Sequence, residues 1–287
     1  MKIAVLHPGE MGVSVARALT NAGQQVGWLA AGRSEATIAR AERLTAFATM
    51  AEIVEWAQVI VSVCPPNAAV EQARAVIAAG FKGLYVDANA VAPDTAREIS
   101  EIVGPQYVDG GIIGPPAEVA GTTRLYLSGP QASNVASLFD NVALEAIVLG
   151  QDTTKDVTQA SALKMAYAAY TKGSSALLLA VNALARTTGV QDALQREWDI
   201  SQPGLVKRSQ GAAKGTSRKA WRFVGEMEEI ADTFAAVGLP SDFHLAAADI
   251  YARMAPLKDE PPAELERVLQ SIVRGQSIVR GQSKGSE

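Results

Sequence analysis

A glycine-bearing stretch near the start of the chain, VLHPGEMG (5–12), has the spacing of a phosphate-binding turn. In G-x-G-x-x-G loops the first glycine permits a tight turn, the second lets the backbone approach a pyrophosphate, and the third lets the helix pack on the strand. Gly9 and Gly12 match the last two positions, and His7 takes the first. We predict that a dinucleotide pyrophosphate binds this helix start, contacted by Pro8, Gly9, Glu10, Met11 and Gly12. The alternative is an ordinary strand-to-helix turn.

The end of the second predicted strand indicates which dinucleotide would bind. NAD-binding folds carry an acidic residue about 20 residues after the glycine loop, where it binds the ribose 2′-hydroxyl. This chain has Ala31 there, followed by Gly32, Arg33 and Ser34. An arginine and a hydroxyl suit a 2′-phosphate, and no carboxylate repels it, so Arg33 and Ser34 favour NADP over NAD. The alternative is that Arg33 is a solvated loop arginine.

Lys164 is the candidate catalytic residue, because it lies in the apolar sequence ASALKMAYAAY. Desolvation lowers the pKa of a lysine toward the range of a general acid or base. Such a lysine takes the hydroxyl proton in alcohol oxidation and returns it in reduction. On a helix Tyr167 and Thr171 share a face with Lys164 and are predicted to bind the substrate. The alternative is a core lysine that extends to the surface.

Other reactive residue types give weaker signals. The chain has two histidines and one cysteine, too few for a metal-ligand cluster, and we expect no metal site. Cys64 ends an apolar strand and is interpreted as a packing residue. His244 is interpreted as a satisfied helix histidine, with a pocket residue as the alternative. Glu226 lies on a predicted helix face that is mostly solvated, with a position facing the substrate as the alternative.

The pattern of elements predicts two domains. Through about residue 150, short apolar strands alternate with helices of 10 to 15 residues, which is typical of a parallel, doubly wound α/β sheet of the Rossmann type. From Asp156 to Arg186 the sequence reads as one long helix, and no strand-like segment follows. We predict a nucleotide-binding domain over 1–155, an all-α substrate and dimerisation domain over 156–270, and a disordered or cloning-derived tail over 271–287, which contains a direct repeat of SIVRGQ.

Composition excludes several classes of function. The 287 residues carry a net charge of −4, which argues against a nucleic-acid binder. No apolar run approaches the roughly 18 to 20 residues that span a bilayer, so no membrane partner is expected. The single cysteine fits a reducing compartment, and MKIAVLHPGE does not read as a signal peptide. We expect a cytoplasmic protein that acts on a small-molecule substrate.

Several segments together resemble the β-hydroxyacid dehydrogenases, a family that includes 3-hydroxyisobutyrate and 6-phosphogluconate dehydrogenases. The chain looks closest to a branch with a C-terminal domain of unknown function, and the resemblance extends to about residue 257. The segments are HPGEMG (7–12), VSVCPPNAA (61–69), VDANAVAPDTAREI (86–99), VDGGIIGPPA (108–117), ASALKMAYAAYTKG (160–173) and AWRFVGEMEEIADTFAAVGLP (220–240).

The resemblance implies roles for individual residues. Lys164 corresponds to the catalytic lysine of the family. Cys64, Pro65 and Pro66 correspond to a loop beside the cofactor riboses, and Asn89 to a residue near the nicotinamide. Ile113 and Gly114 lie in the family's substrate-binding segment. A homodimer is implied as well, and the apolar LLLAVNALA stretch (177–185) fits its interface.

Departures from the family pattern leave the substrate open. Ile113 stands where a family serine contacts a substrate carboxylate, and Tyr167 and Ala168 replace a pair of asparagines. A second family lysine, expected near Gly225 and Glu226, is missing. A larger or less acidic substrate is therefore predicted for an NADP-dependent oxidoreductase that acts on a hydroxy or keto group. The alternatives are an NADPH-dependent imine reductase on the same scaffold and a non-catalytic NADP-binding protein.

Overall fold

The computed structural model describes residues 1–150 and 157–275, which divide into two compact units. The N-terminal unit comprises residues 1–165, and the C-terminal unit begins at Ala166. The predicted domain boundary at 155 falls among residues 151–156, outside the described residues. The two units are described separately below.

The N-terminal unit is built on one eight-stranded sheet. Its strands are β1 (Lys2–Leu6), β2 (Gln25–Leu29), β3 (Thr45–Phe47), β4 (Val59–Ser62), β5 (Leu84–Asp87), β6 (Tyr107–Ile113), β7 (Thr123–Ser128) and β8 (Leu144–Gly150). Their spatial order is β3-β2-β1-β4-β5-β6-β7-β8. The first six strands pair in parallel, as predicted for a doubly wound fold.

The last two strands depart from the predicted all-parallel sheet. β7 pairs with β6 in an antiparallel sense, with Asp109 opposite Ser128, and β8 pairs in parallel with β7. The connection over residues 114–122 contains no helix. A parallel return needs a crossover of a dozen or more residues, so a connection this short can only reverse the strand direction.

Six helices accompany the sheet: α1 (Glu10–Asn21), α2 (Glu35–Arg40), α3 (Met50–Trp56), α4 (Ala69–Ala78), α5 (Pro93–Val103) and α6 (Ala132–Ala136). Local sequence explains several of their starts. Thr49 and Glu52 form a reciprocal capping box on α3, and Pro93 takes the first position of α5, where its missing N–H is not needed.

Two apolar cores lie on opposite faces of the sheet. In β1, Ile3 and Val5 belong to one core, and Ala4 and Leu6 belong to the other. Because successive side chains of a strand point to opposite faces, a strand covered on both faces must be apolar at every position. This explains the continuous apolar runs in the sequence. The order of strands reverses at β1, between β2 and β4, and doubly wound folds bind ligands beyond the carboxyl ends of the strands at such a point.

The C-terminal unit consists of helices joined by turns and loops, and it has no strand in its described residues. Its helices are α7 (Gln159–Thr187), which begins in the N-terminal unit, and α8 (Gln191–Ser201), α9 (Leu205–Thr216), α10 (Ala220–Ala236), α11 (Asp242–Met254) and α12 (Leu265–Arg274). Residues 271–274, which were predicted to belong to the tail, form the end of α12, and residues 276–287 lie outside the described part. No helix in the described ranges is both long and apolar enough to span a bilayer.

Candidate active site

The glycine loop joins β1 to α1 at the point where the strand order reverses. A side chain at Gly12 would overlap the His7 carbonyl oxygen, so packing requires this glycine. Gly9 differs, because its backbone is extended (φ −66°, ψ −164°) and an added Cβ would meet no atom within 4 Å. Neither backbone strain nor packing therefore explains Gly9, and the open space above it fits close approach of a ligand.

The start of α1 offers the donors that a pyrophosphate needs. Gly9 caps the helix without a side chain, so no side-chain oxygen satisfies the first-turn N–H groups. Such groups and the helix dipole attract anions. Of the other predicted contacts, Pro8 is buried, Met11 packs on the core, and Glu10 is exposed. The observed loop fits a dinucleotide phosphate held by backbone donors.

His7 adopts a backbone conformation that usually belongs to glycine. Its φ is +62°, in the left-handed region, and its carbonyl oxygen accepts a hydrogen bond from Gly9 N at 2.7 Å. Burial, reinforced by the Arg33 charge, lowers the pKa of His7 to about 4, so the ring is neutral at physiological pH. The sequence alone indicates only that His7 replaces the first glycine of the loop.

Arg33 and Ser34 follow β2, as predicted, but their side chains differ in how they are already bonded within the protein. The Arg33 side chain is half-buried, and its Nε donates to the Leu29 carbonyl oxygen at 3.4 Å. Burial lowers the pKa of Arg33, but arginine keeps its charge. The Ser34 hydroxyl caps α2 by accepting from Thr37 N at 3.4 Å. Arg33 therefore supplies a permanent positive charge just beyond the end of β2.

A hydrogen-bond network joins the carboxyl ends of β4 and β5. Cys64 N donates to Asn89 Oδ1 at 2.6 Å, and Asn89 Nδ2 donates to Ser62 Oγ at 3.1 Å and to Asp87. Asn89 is buried, and its amide atoms are engaged with these protein partners. Burial raises the pKa of the Cys64 thiol to about 11, so the thiol is neutral. Asn89 thus positions the Cys64 loop, whose Pro65 and Pro66 begin a short 3-10 turn.

Lys164 lies against the carboxyl end of β6. Its Nζ donates to the Ile112 carbonyl oxygen at 2.7 Å, and burial lowers the pKa of the ammonium from 10.5 to about 8. An added Cβ at Gly111 would come within 2.6 Å of Ala160 O and 3.2 Å of Lys164 Cβ. The absence of a side chain at Gly111 therefore lets α7 begin close enough to β6 for this contact.

Asp109, which sequence analysis did not single out, anchors the start of α7. It accepts hydrogen bonds from Ser161 N at 2.9 Å and Ser161 Oγ at 2.6 Å, and Ser128 Oγ lies 3.0 Å from it. Burial raises the pKa of Asp109 to about 6 against the lowering effect of these bonds. The sequence signal was an acid inside an apolar strand, directly before the paired glycines 110 and 111. Asp109 positions the helix that carries Lys164.

The predicted substrate segment after β6 is only partly accessible. Ile113 is buried, whereas Gly114 is exposed. Gly114 has a φ of +128°, and a side chain there would overlap the Thr122 carbonyl oxygen. The backbone conformation and the close packing therefore explain why residue 114 is a glycine. The Ile113 side chain is buried inside the fold.

In the C-terminal unit, the predicted substrate residues on α7 are distinct from a charged cluster nearby. Tyr167 is 48% exposed, and Thr171 Oγ1 donates to the Tyr167 carbonyl oxygen at 3.1 Å. Lys172 forms an ion pair with Glu226 and lies 4.7 Å from the centre of the Phe223 ring. Glu226 is thus sheltered rather than part of a solvated face. Sequence analysis missed Lys172, whose partner is 54 residues away.

His244 packs among aromatic rings in the same unit. Its ring centre lies 4.3 Å from that of Phe234 and 5.2 Å from that of Phe243. Burial lowers the pKa of His244. Its Nδ1 is buried without a hydrogen-bond partner among the described residues, so the prediction of a satisfied helix histidine is wrong at this nitrogen. Within the described ranges, no group of three or more histidine, cysteine, aspartate or glutamate side chains could hold a metal ion.

Comparison with known proteins assigns the chain to a family. Residues 2–150 match the NAD binding domain of 6-phosphogluconate dehydrogenase, and residues 185–254 match a domain of unknown function, DUF1932. An uncharacterised 28.5 kDa protein of Methanothermus fervidus is 30% identical over 166 residues, which are 57% of this chain. The match covers 62% of that protein's length.

Solved structures with the same fold include proteins of known and unknown function. A conserved protein of unknown function, described as similar to 3-hydroxyacid dehydrogenases, is 26% identical (TM-score 0.63; 90% of this chain and 99% of that chain). Mycobacterium tuberculosis 3-hydroxyisobutyrate dehydrogenase with L-serine is 19% identical (TM-score 0.69; 96% and 99%). An Aspergillus terreus reductive aminase in complex with NADPH4, cyclohexanone and allyl amine is 18% identical (TM-score 0.54; 94% and 98%).

These matches confirm the family resemblance and the Rossmann-like fold that the sequence predicted. The glycine loop, the reversal of strand order at β1 and the open space above Gly9 agree with a nucleotide-binding scaffold. The chain therefore belongs to the family that carries the NAD binding domain of 6-phosphogluconate dehydrogenase.

Proposed function

We propose that the protein is an NADP-dependent oxidoreductase that interconverts a hydroxy and a keto group, with Lys164 as general acid and base. One observation carries the proposal: the partly buried Lys164 ammonium donates to the Ile112 carbonyl oxygen at the carboxyl edge of a dinucleotide-binding sheet, where desolvation lowers its pKa to about 8. A buried lysine costs stability, and such groups are concentrated at functional sites. The catalytic role, the substrate and the NADP preference are parts of the proposal.

Lys164 performs the proton transfer in this proposal. In reduction its ammonium donates a proton to the carbonyl oxygen of the substrate, and in oxidation the neutral amine accepts the hydroxyl proton. The Ile112 carbonyl oxygen accepts a hydrogen bond from Nζ and so orients the group. When bound, the nicotinamide supplies or accepts the hydride. Because the pKa is about 8, both protonation states are accessible near neutral pH.

The cofactor assignment rests on fit to the loop and on charge. The uncapped start of α1 and the open position at Gly9 suit a pyrophosphate. Arg33 supplies positive charge at the end of β2, where no acid is present to bind a ribose 2′-hydroxyl. A 2′-phosphate is favoured there by charge-assisted hydrogen bonds.

The proposed substrate is less acidic than a small hydroxy acid. Ile113 replaces the serine that the family resemblance led us to expect, and its buried side chain offers no donor to a carboxylate. Gly114, Tyr167 and Thr171 are kept as proposed substrate contacts. A ketone, a secondary alcohol or a hydroxy acid with a larger apolar part fits these residues best.

The test is a steady-state assay with NADPH or NADP against hydroxy acids, ketones, secondary alcohols and cyclic imines. We expect turnover on a hydroxy or keto compound and loss of that activity in Lys164→Ala. Lys172→Ala is the matched control, because it removes a sheltered lysine that belongs to an ion pair. Absence of turnover across the panel would refute the enzymatic proposal and leave the non-catalytic alternative.

A second candidate is reduction of a C=N bond. It is favoured by the missing carboxylate-binding serine at Ile113 and by likeness to the reductive aminase, whose structure contains an NADPH-type cofactor, a ketone and an amine. Retention of Lys164 argues against it, since the resemblance makes this residue the counterpart of the catalytic lysine of the hydroxyacid dehydrogenases. Turnover confined to imines, unaffected by Lys164→Ala, would establish this candidate instead.

We also propose a cytoplasmic homodimer. Tyr170, Leu177 and Leu184 lie seven residues apart on α7 and are 68%, 51% and 64% exposed. An exposed apolar stripe on a long helix is typical of an interface between subunits. The cytoplasmic assignment rests on the single, free Cys64.

A further inference from the structure

The structure gives His7 a feature that the cofactor loop does not require. In the described residues, His7 and Asn141 are the two non-glycine residues with positive φ. Asparagine and histidine enter the left-handed region more readily than most residues, but each still has a steric cost of about 1 kcal/mol there that glycine does not have. Glycine is also the residue that G-x-G-x-x-G loops place at this position. A side chain kept at this cost calls for a contact that glycine cannot make.

The imidazole ring has one enclosed and one accessible nitrogen. Nδ1 is buried without a hydrogen-bond partner among the described residues, whereas Nε2 is not enclosed in this way. A neutral imidazole carries one proton. On Nδ1 that proton would be a buried N–H without an acceptor, which is costly, so it resides on Nε2. The ring therefore presents an N–H donor on its accessible side.

His7 and Arg33 follow neighbouring strands of the sheet. In the pairing of β1 with β2, Ala4 is opposite Gly27, and His7 and Ala30 are the first residues beyond the ends of these two strands. Arg33 N donates to the Ala30 carbonyl oxygen at 3.3 Å. The Arg33 side chain turns back to the Leu29 carbonyl oxygen. The Arg33 charge also contributes to the lowered pKa of His7. One neutral donor and one cation thus share the carboxyl ends of neighbouring strands.

We propose that His7 is a specificity-determining residue for NADP, whose Nε2–H donates a hydrogen bond to the 2′-phosphate that Arg33 binds. This inference rests on the proposed function and adds a second recognition residue to it. A neutral donor beside an arginine suits a phosphate monoester, because the donor adds a hydrogen bond without a second buried positive charge. A ribose 2′-hydroxyl would gain less, since the strong hydrogen bonds are those to charged oxygens.

The test compares dissociation constants for NADPH and NADH in wild type and His7→Gly, measured by fluorescence titration. His7→Gly relieves the left-handed strain and restores the usual residue, so the variant will fold. We expect its dissociation constant for NADPH to rise about tenfold, as for a lost hydrogen bond to a charged group. The constant for NADH stays within about twofold of wild type. The same comparison with 2′,5′-ADP and 5′-AMP reports the adenosine end alone.

Two further variants separate the loss of a contact to the cofactor from the effect of relieving a positive φ. Asn141→Gly is the matched control, since it relieves positive φ at an exposed site and leaves both affinities unchanged. His7→Asn keeps a residue suited to the left-handed region together with an N–H donor, and recovers part of the NADPH affinity. Thermal unfolding of each variant verifies the fold.

The outcomes separate this inference from the proposed function. Unchanged NADPH affinity in His7→Gly overturns the inference, and so does an equal loss for NADPH and NADH, which would place the contact on the shared part of the cofactor. If wild type binds NADH as tightly as NADPH, the NADP preference in the proposed function is refuted, and the inference about His7 is refuted with it. If wild type binds neither dinucleotide, both proposals fall.

Discussion

At the scale of single residues, the buried Lys164 ammonium links stability to function. Its folded pKa of about 8 lies below the unfolded value of 10.5, so the folded state disfavours the charge. The resulting loss of folding stability is fully present below pH 8, where Lys164 is protonated in both the folded and the unfolded state. The loss disappears as the pH rises from 8 to 10.5, because the folded state releases its proton first. We expect Lys164→Met to raise the free energy of unfolding at pH 7 by about 2 kcal/mol, after the lost hydrogen bond is counted.

Chemical denaturation at several pH values checks this prediction. The stability difference between Lys164→Met and wild type shrinks as the pH rises above 8, while the variant remains inactive at every pH. Equal or lower stability of the variant at pH 7 would show that Nζ is solvated rather than buried.

The same pKa predicts opposite pH profiles for the two reaction directions. Reduction needs the ammonium, so kcat/KM is constant below pH 8 and falls about tenfold per pH unit above it. Oxidation needs the neutral amine, so its kcat/KM rises up to about pH 8 and then levels off. Identical profiles in both directions would argue against Lys164 as the titrating group.

Single residues also show where prediction from sequence ends. The apolar neighbours of Lys164 predicted its desolvation, which the structure shows. The left-handed backbone of His7 had no such signal, because positive φ is uncommon for any residue other than glycine, histidine included. Asp109 and Lys172 were missed because their partners, Ser161 and Glu226, are more than 50 residues away in the sequence.

At the scale of elements, two glycine substitutions separate packing from ligand binding. Gly111→Ala places a Cβ 2.6 Å from Ala160 O, so α7 must shift away from β6. We expect a loss of about 2 kcal/mol in stability, together with reduced turnover. Gly9→Ala meets no protein atom within 4 Å, so thermal unfolding stays near wild type while dinucleotide affinity falls at least tenfold. Unchanged affinity in Gly9→Ala would contradict the assigned loop.

The anchor of α7 gives another element-level prediction. Asp109→Ala leaves Ser161 N and Ser161 Oγ without their acceptor inside the fold. We expect about 2 to 4 kcal/mol lower stability, as for breaking a buried hydrogen-bonded network. Ser161→Ala removes one of these bonds and is expected to lose less. Equal stability of Asp109→Ala and wild type would exclude the anchoring role.

The direction of strands was predictable only where a helix intervenes. The alternation of strands and helices through β6 predicted the parallel part of the sheet. After Ile113 the chain reaches β7 without a crossover helix. The residue pattern of a strand does not indicate whether it pairs in parallel or antiparallel, and β7 is antiparallel to β6. Such cases are decided by the length of the connection, which the strand pattern alone did not reveal.

At the scale of the whole molecule, the proposed homodimer depends on the exposed stripe of α7. We expect Leu177→Glu combined with Leu184→Glu to convert a dimer to a monomer in light scattering coupled to gel filtration, because the charges would be buried at an apolar interface. Ile200→Glu is the control, since this exposed apolar residue lies on α8. A monomeric wild type would refute the proposal.

The central claim is that Lys164 transfers the substrate proton, and single-turnover oxidation of bound NADPH with the best carbonyl substrate tests it most directly. We predict that Lys164→Ala lowers the rate constant about 10² to 10⁴-fold, while NADPH binds with unchanged affinity. A rate constant in Lys164→Ala equal to that of wild type would contradict the claim.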